Sequence, residues 1–395
     1  MHIRHILPQS AMGYLPDDPG SAALTGISNV AWSLAQQQLA AGHCVELVAP
    51  GGGRGLRTAV VDGVTLRWLP EAAWLRNARF DFSYLLPLQI FGMVAGITDI
   101  AHVHSNPFFL RTTRAAAHVL HYHNSPPGGS PRYTSAVHRA HTVICCSCFI
   151  REQFLDRVLF PAERVRVVYN GADIDQFSIV DRTAARVAYG IERDRVVLLY
   201  VGRIGYEKGL HVLLDALERV IATCDKPPLL LVAGSGRLGF EGYRPAWADL
   251  QSYEAQVRHQ ASQLPVMFLG NVSRSSLPKL YRAADLFVCP SVYEEPFGMV
   301  NIEAAAAGLP VVGSCIGGIP EAIIPEGNGL LVAPADVAAL ATALAQLIHN
   351  PELRRTYARE SVRLAAHYSW NALADEVLGL YNAALKPVSR PIIAG

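Results

Sequence analysis

Charge is scarce in this chain. Only 17% of its 395 residues are Asp, Glu, Lys or Arg, and together they leave a formal net charge of +1. So even a balance lacks the one-signed field that nucleic acid or an anionic membrane recruits. Long apolar runs are missing as well: none approaches the ~20 residues that span a bilayer. Met1-His2-Ile3-Arg4 leads into no signal-peptide pattern, and there is no repeat, low-complexity tract or heptad array. Seven cysteines without a secretory signal point to a reducing compartment, hence to a cytoplasmic protein. Cys145-Cys146-Ser147-Cys148 suggests a metal cluster, but it continues the apolar run Thr142-Val143-Ile144 and has no second ligand pair at zinc spacing. Strand alternation would also face its side chains in opposite directions, so buried thiols are the better reading.

What is present suits well-buried α/β domains: 51% of residues are hydrophobic, and the length exceeds one comfortable core, so two domains are expected. Ile3 to Leu7 reads as a buried strand, Pro8 to Thr25 as a long loop, Gly26 to Ala41 as a helix with its start, and Val45 to Ala49 as a second strand. This strand–loop–helix–strand unit places its glycine-containing loop at the carboxyl end of a sheet, where ligands bind. Asp99 to His104, Ala117 to Tyr122 and Val143 to Cys146 are further strands. Ten of the fourteen histidines precede the middle of the chain, several of them at these strand ends. For any single one, a satisfied structural histidine is the default.

The second half restarts at the apolar strand Val196 to Val201. Gly202-Arg203-Ile204-Gly205-Tyr206-Glu207-Lys208-Gly209 follows, then a helix from Leu210. A glycine-flanked loop between strand and helix lets Arg203 and Lys208 reach one point, as a phosphate requires. Further on stands Glu295-Pro296-Phe297-Gly298-Met299-Val300-Asn301-Ile302-Glu303, then a run of alanines. Pro296 disfavours helix at Glu295 and Gly298 permits a tight turn, so helix is expected from Met299, with Glu303 one turn inside. The amides and dipole at that helix start suit an anion, while Glu295 can accept hydrogen bonds from sugar hydroxyls. A phosphorylated sugar fits the combination.

Glu-Pro-Phe-Gly, the second Glu, the Ala-rich helix, Gly308-Leu309-Pro310-Val311-Val312 and Gly317-Gly318-Ile319-Pro320-Glu321 together resemble the nucleotide-sugar site of retaining glycosyltransferases of family 4. The Gly202-Arg203…Lys208-Gly209 string resembles the family's diphosphate clamp, and the resemblance covers nearly the whole chain. It implies the GT-B fold, two Rossmann-like doubly wound domains facing across a cleft. The expected division is 1–171 on the acceptor side, 172–367 for the nucleotide sugar, and 368–395 crossing back to the first domain. The implied activity is transfer of a hexosyl group from a nucleoside-diphosphate sugar, UDP favoured over GDP, with no cofactor and no metal. Asp173-Ile174-Asp175 looks like a metal-binding Asp-x-Asp, yet its Asn170-Gly171 turn context resembles the family's interdomain linker.

By the same resemblance His123, Arg203, Lys208 and Glu295 would carry catalysis. Gly26, Gly202, Arg203, Lys208, Asn271, Val272, Glu295, Phe297, Gly298, Met299, Val300 and Glu303 would bind the donor, Glu303 through its ribose. Relatives mostly carry two adjacent glycines where this chain has Gly26 alone. Asn29, His104, Asn106 and Asn124 are the candidates for an acceptor site shaped by loops at Pro8 to Thr25, Gly51 to Arg57, Tyr84 to Phe91 and Ser105 to Arg111. None of these loops holds a basic amphipathic helix, which favours a small polar acceptor over a glycolipid or polysaccharide at the membrane surface. A homodimer stays open. The competing readings are a phosphorylase or epimerase on a related plan and a non-catalytic nucleotide-sugar binder. A phosphorylase would need a pyridoxal lysine where lysine is scarce, and a binder has no use for the whole residue set.

Overall fold

The computed structural model describes residues 1–8, 26–51, 55–70, 82–178, 180–236 and 250–386. Nearly all of the loop from Pro8 to Thr25, part of that from Gly51 to Arg57, the stretch from Arg237 to Trp247 and the tail after Lys386 lie outside the described residues. The chain divides into two units: one runs to Tyr169 and takes in the final helix from Trp370, the other spans Asn170–Ser369.

The first unit holds an eight-stranded sheet of β1 (His2–Ile6), β2 (Cys44–Pro50), β3 (Arg57–Val61), β4 (Val64–Leu69), β5 (Thr98–His104), β6 (Ala115–Tyr122), β7 (Thr142–Cys145) and β8 (Val165–Val167). Their order is β3-β4-β2-β1-β5-β6-β7-β8, parallel except for the β3–β4 hairpin. Its helices are α1 (Gly26–Ala40), α2 (Phe82–Val94), α3 (Pro131–Val137) and α4 (Cys148–Arg157), the last capped by Ser147, whose hydroxyl accepts from the Ile150 amide. Cys145 and Cys146 are buried and Cys148 is exposed on the first turn of α4. Residues 84 to 91, read from sequence as a loop, are part of α2, which holds Pro87 inside it. Near its end the helix packs closely on the turn at Thr112. A side chain on Gly92 would come within 1.9 Å of the Thr112 carbonyl oxygen.

The second unit carries the short α5 (Ile174–Ser178) and α6 (Arg182–Ala188), then β9 (Val197–Val201), α7 (Leu210–Ile221), β10 (Leu229–Ala233), α8 (Leu250–Gln260), β11 (Val266–Gly270), α9 (Leu277–Ala283), β12 (Leu286–Cys289), α10 (Met299–Ala306), β13 (Val311–Ser314), β14 (Gly329–Val332), α11 (Val337–His349) and α12 (Pro351–Ala366). The six strands are all parallel in the order β11-β10-β9-β12-β13-β14. Counted within the unit this is 3-2-1-4-5-6, the doubly wound order whose ligands bind where the winding reverses. That reversal falls between β9 and β12. Strands buried on both faces need continuous apolar sequence, and Val197–Tyr200 and Leu229–Ala233 supply it. On α7, Leu210, Leu213, Leu214, Leu217 and Val220 form the stripe that covers one face. Each such side chain stabilises the fold by about 1.5–3 kcal/mol.

The closing helix α13 (Trp370–Leu385) returns to the first unit, where it packs on α1 and β6. Trp370, Leu373, Val377 and Tyr381 are its buried stripe.

Candidate functional site

In the second unit the loops after β9 and β12 leave adjacent strands at the winding reversal, which brings the two sequence motifs together. Gly209 closes the first loop at φ +69°, and a side chain there would sit 1.9 Å from the Pro290 carbonyl oxygen at the end of β12. Only glycine permits both the left-handed backbone and this approach. The result is an ion pair between the Lys208 ammonium and the Glu295 carboxylate. Lys208 also lies 5.4 Å from the centre of the Tyr293 ring. Burial alone would lower the lysine's pKa, but the charge of Glu295 and the Tyr293 partner outweigh it and raise the pKa.

Glu295 is buried on a loop, and its Oε1 also accepts from the Ser291 hydroxyl at 2.9 Å. The Gly317-Gly318 pair fixes this loop from outside. Gly317, at φ +61°, has no room for a side chain because the Glu295 backbone lies 2.4 Å from where one would begin, and the Gly318 amide donates to the Glu295 carbonyl at 2.7 Å. Arg203 pairs with Glu207, four residues on, while its Nη1 has no hydrogen-bond partner among the described residues. One guanidinium nitrogen is thus left over for a ligand.

Helix starts at Met299 as the sequence implies, with Gly298 left-handed at φ +83° and no side chain capping the end. The first amides of α10 are therefore left for a ligand or solvent. Phe297 is core, its ring 5.7 Å from that of Tyr368, so this stretch offers backbone only. Glu303 is buried one turn inside α10 and accepts from the Tyr281 hydroxyl at 3.0 Å. Burial raises its pKa, against the lowering by Arg274 and the Tyr281 bond. At the end of β11, Asn271 is exposed and accepts from Ser235 at 2.9 Å, while Val272 packs at the core's edge. Tyr281, Ser291 and Tyr293 were not singled out as functional from sequence, since nothing local marks a residue whose role is to hold another 4 to 85 positions away.

In the first unit Gly26 opens α1, and a side chain there would meet nothing within 4 Å. His123 follows β6, is nearly buried, and burial pushes its pKa down to about 3. It meets His104, assigned by sequence to the acceptor side, in a hydrogen bond of 2.8 Å. His104 is fully enclosed rather than presented on a surface. Asn29 is buried with both amide atoms unpartnered among the described residues. Asn106 accepts from the Phe108 amide and so caps the 3₁₀ turn Pro107–Arg111, and Asn124 is exposed.

Residues 24–176 match the sequence profile of glycosyltransferase family 4 and residues 181–362 that of glycosyl transferases group 1. The chain belongs to this group, and its fold is that of the GT-B glycosyltransferases. An uncharacterized glycosyltransferase of Methanocaldococcus jannaschii is 34% identical over 253 residues, 63% of this chain and 61% of that one. The matched stretch is thus about three fifths of that relative's length. Among solved structures, sucrose-phosphate synthase from Thermosynechococcus elongatus superposes with a TM-score of 0.78 at 23% identity, covering 97% of this chain and 98% of that one. Anabaena HepE, solved with UDP, gives 0.72 at 20% identity over 97% and 100%.

Proposed function

We propose that the chain transfers a hexosyl group from a nucleoside-diphosphate sugar, UDP favoured over GDP, to a polar acceptor such as a sugar or cyclitol, with retention and without a metal. The observation that carries this reading is the Lys208–Glu295 ion pair at the reversal of a doubly wound sheet, with Arg203 on the same loop as Lys208 and Glu295 shortly before the uncapped start of α10. As the bond from the anomeric carbon to the diphosphate breaks, negative charge grows on the leaving oxygens. Arg203, Lys208 and the α10 amides would stabilise it. The acceptor oxygen bonds to the anomeric carbon, and its proton passes to the leaving phosphate.

Lys208 is held by Glu295 before any donor arrives, so donor binding becomes an exchange of partners. The diphosphate takes the ammonium, and the freed Glu295 turns to sugar hydroxyls. Glu303 would take the ribose, the Tyr281 hydroxyl leaving it further lone pairs. His123 and Gly26 enter this reading by family resemblance alone. UDP is favoured because HepE was solved with UDP and with UDP-glucose.

A second acceptor reading has its own support. Leu86, Ile90, Met93 and Val94 are exposed at helical spacing on α2, with Ile97 just beyond, in a helix without a charged residue. An apolar stripe of this kind suits a membrane surface and a glycolipid acceptor. Thermal shift against UDP-, GDP- and ADP-glucose tests the donor, since a bound nucleotide stabilises by RT ln(1 + [L]/Kd). Stabilisation by none of them would sink the reading. Flotation with anionic vesicles, lost in Ile90→Glu/Val94→Glu, would favour the glycolipid.

A further inference from the structure

Three strands of the first unit each put histidines on the same sheet face. Register pairs His5 of β1 with His102 of β5, and His104 of β5 with His121 of β6; His123 follows two residues on, so all five project alike. They are buried and stacked, with rings inclined by 5° between His102 and His104 and by 14° between His104 and His123. Gln38 of α1 and Tyr381 of α13 cover them.

The contacts form two chains that start from one amide. In the first, Gln38 Oε1 meets His5 Nε2 at 2.8 Å, His5 Nδ1 meets His104 Nε2 at 3.1 Å, and His104 Nδ1 meets His123 Nε2 at 2.8 Å. In the second, Gln38 Nε2 donates to the Tyr381 hydroxyl at 3.2 Å, that hydroxyl meets His102 Nδ1, and His102 Nε2 meets His121 Nδ1 at 3.2 Å. The outer nitrogens, His123 Nδ1 and His121 Nε2, are buried without a hydrogen-bond partner among the described residues. Their two rings lie against one another, centroids 4.1 Å apart and inclined by 34°.

Burial keeps every ring neutral: it lowers His5 to about 4 and His123 to about 3, and holds the other three well below the ordinary value. A neutral imidazole has one N–H and one lone pair, so each contact fixes the next. The Gln38 carbonyl can only accept, so His5, His104 and His123 each carry the proton on Nε2, and His123 Nδ1 ends the chain as a bare acceptor. Tyr381 accepts from Gln38 and must donate onward, so His102 and His121 carry theirs on Nε2 too, and His121 Nε2 ends the other chain as a donor. Exchanging the two amide atoms of Gln38 moves all five protons to Nδ1 and swaps the two ends. The ends stay opposite either way.

We propose that the five histidines form one proton-ordered ladder, set by Gln38, that presents one donor and one acceptor nitrogen on the neighbouring rings of His121 and His123 to a single hydroxyl group. A hydroxyl both donates and accepts, so one satisfies both nitrogens, each at about 2.7–3.0 Å. An anion would meet the bare lone pair. A metal, although His5, His102, His104 and His104, His121, His123 each bring nitrogens within 4.8 Å, would need three lone pairs to converge, whereas the His5–His104 and His104–His123 contacts each already hold a proton. Gln38, Tyr381, His102, His104 and His5 are then positioning residues. The hydroxyl is water or one on the donor sugar.

Long-range 1H–15N correlation of the full chain labelled with [15N]histidine at pH 7 reads the tautomer of each ring. All five should be neutral and share one tautomer. In Tyr381→Phe, His5, His104 and His123 should keep it, while His102 and His121, cut from Gln38, should exchange between both. Mixed tautomers or an imidazolium among the five in the wild type would overturn the ladder. So would unchanged signals from His102 and His121 in folded Tyr381→Phe, or stoichiometric zinc uptake that removes the N–H signals. UDP-glucose, but not UDP, should move the outer nitrogens if the hydroxyl belongs to the sugar; no response to either identifies water. Only the sugar arm rests on the proposed reaction. Failure of every donor in a turnover assay would leave the tautomer result standing, and mixed tautomers would leave the transferase reading standing.

Discussion

Replacing Glu295 by Gln separates two jobs that the structure gives one side chain. Gln keeps the shape and can still accept from Ser291, but it removes the charge opposite Lys208. Breaking a fully buried pair costs about 3–5 kcal/mol. Here the lysine side chain is 25% exposed and the glutamate 9%, so water screens the stranded ammonium and about 1–2 kcal/mol is the better expectation. For a domain of this size that lowers Tm by about 2–8 °C. Lys208, no longer engaged, stays available to a diphosphate, so calorimetry should find UDP affinity unchanged or tighter. Turnover should fall, since a hydrogen bond to a charged group is worth about 1.5–3 kcal/mol, or roughly tenfold to a hundredfold. Discrimination among donor sugars should blur with it. Wild-type turnover, or a loss of UDP affinity as large as that in Glu303→Gln, would refute the exchange of partners.

Glu303→Gln should weaken bare UDP by roughly tenfold to a hundredfold through the lost ribose contact, by calorimetry. The same variant should melt no lower than wild type at pH 7: with its folded pKa raised, Glu303 favours the fold when protonated, and that contribution is lost as pH rises from its ordinary value of 4.5 through the raised one. A variant that loses stability relative to wild type as pH rises through that window would contradict the sign. Arg203→Ala and Lys208→Ala should each cut kcat strongly while the circular dichroism stays native, and wild-type kcat in both would remove the clamp. Activity should survive EDTA; complete loss restored by manganese or magnesium would show that a metal carries the leaving group.

Much of the second unit was legible because its signals are local. Gly202 to Gly209 and Glu295 to Glu303 each carry turn, cap and charge within nine residues, and the structure places Gly209 and Gly298 in the left-handed backbone that such turns use. The Lys208–Glu295 pair was not legible, since its partners lie 87 positions apart and meet only through the order of β9 and β12. Each histidine of the first unit was read singly, as satisfied structure or as a site residue, and no single position carries more than that. The ladder depends on the register of three strands, which hydrophobic alternation does not set. The helix at α2 was missed in part because Pro87 and Gly92 argue locally against one, whereas close packing on Thr112 demands the glycine.

The return of α13 to the first unit has a consequence for how the chain is made. Asn170–Ser369 is a continuous insert and can fold once the ribosome has delivered it, whereas the unit begun at Met1 lacks a helix until synthesis reaches Leu385. Tyr381, bonded to Gln38 across 343 positions and to His102 across 279, is the last residue of the histidine ladder to arrive. The half that starts first is therefore finished second. During the interval the face of α1 and β6 that α13 will cover is open to solvent, and a stalled or truncated chain would expose it.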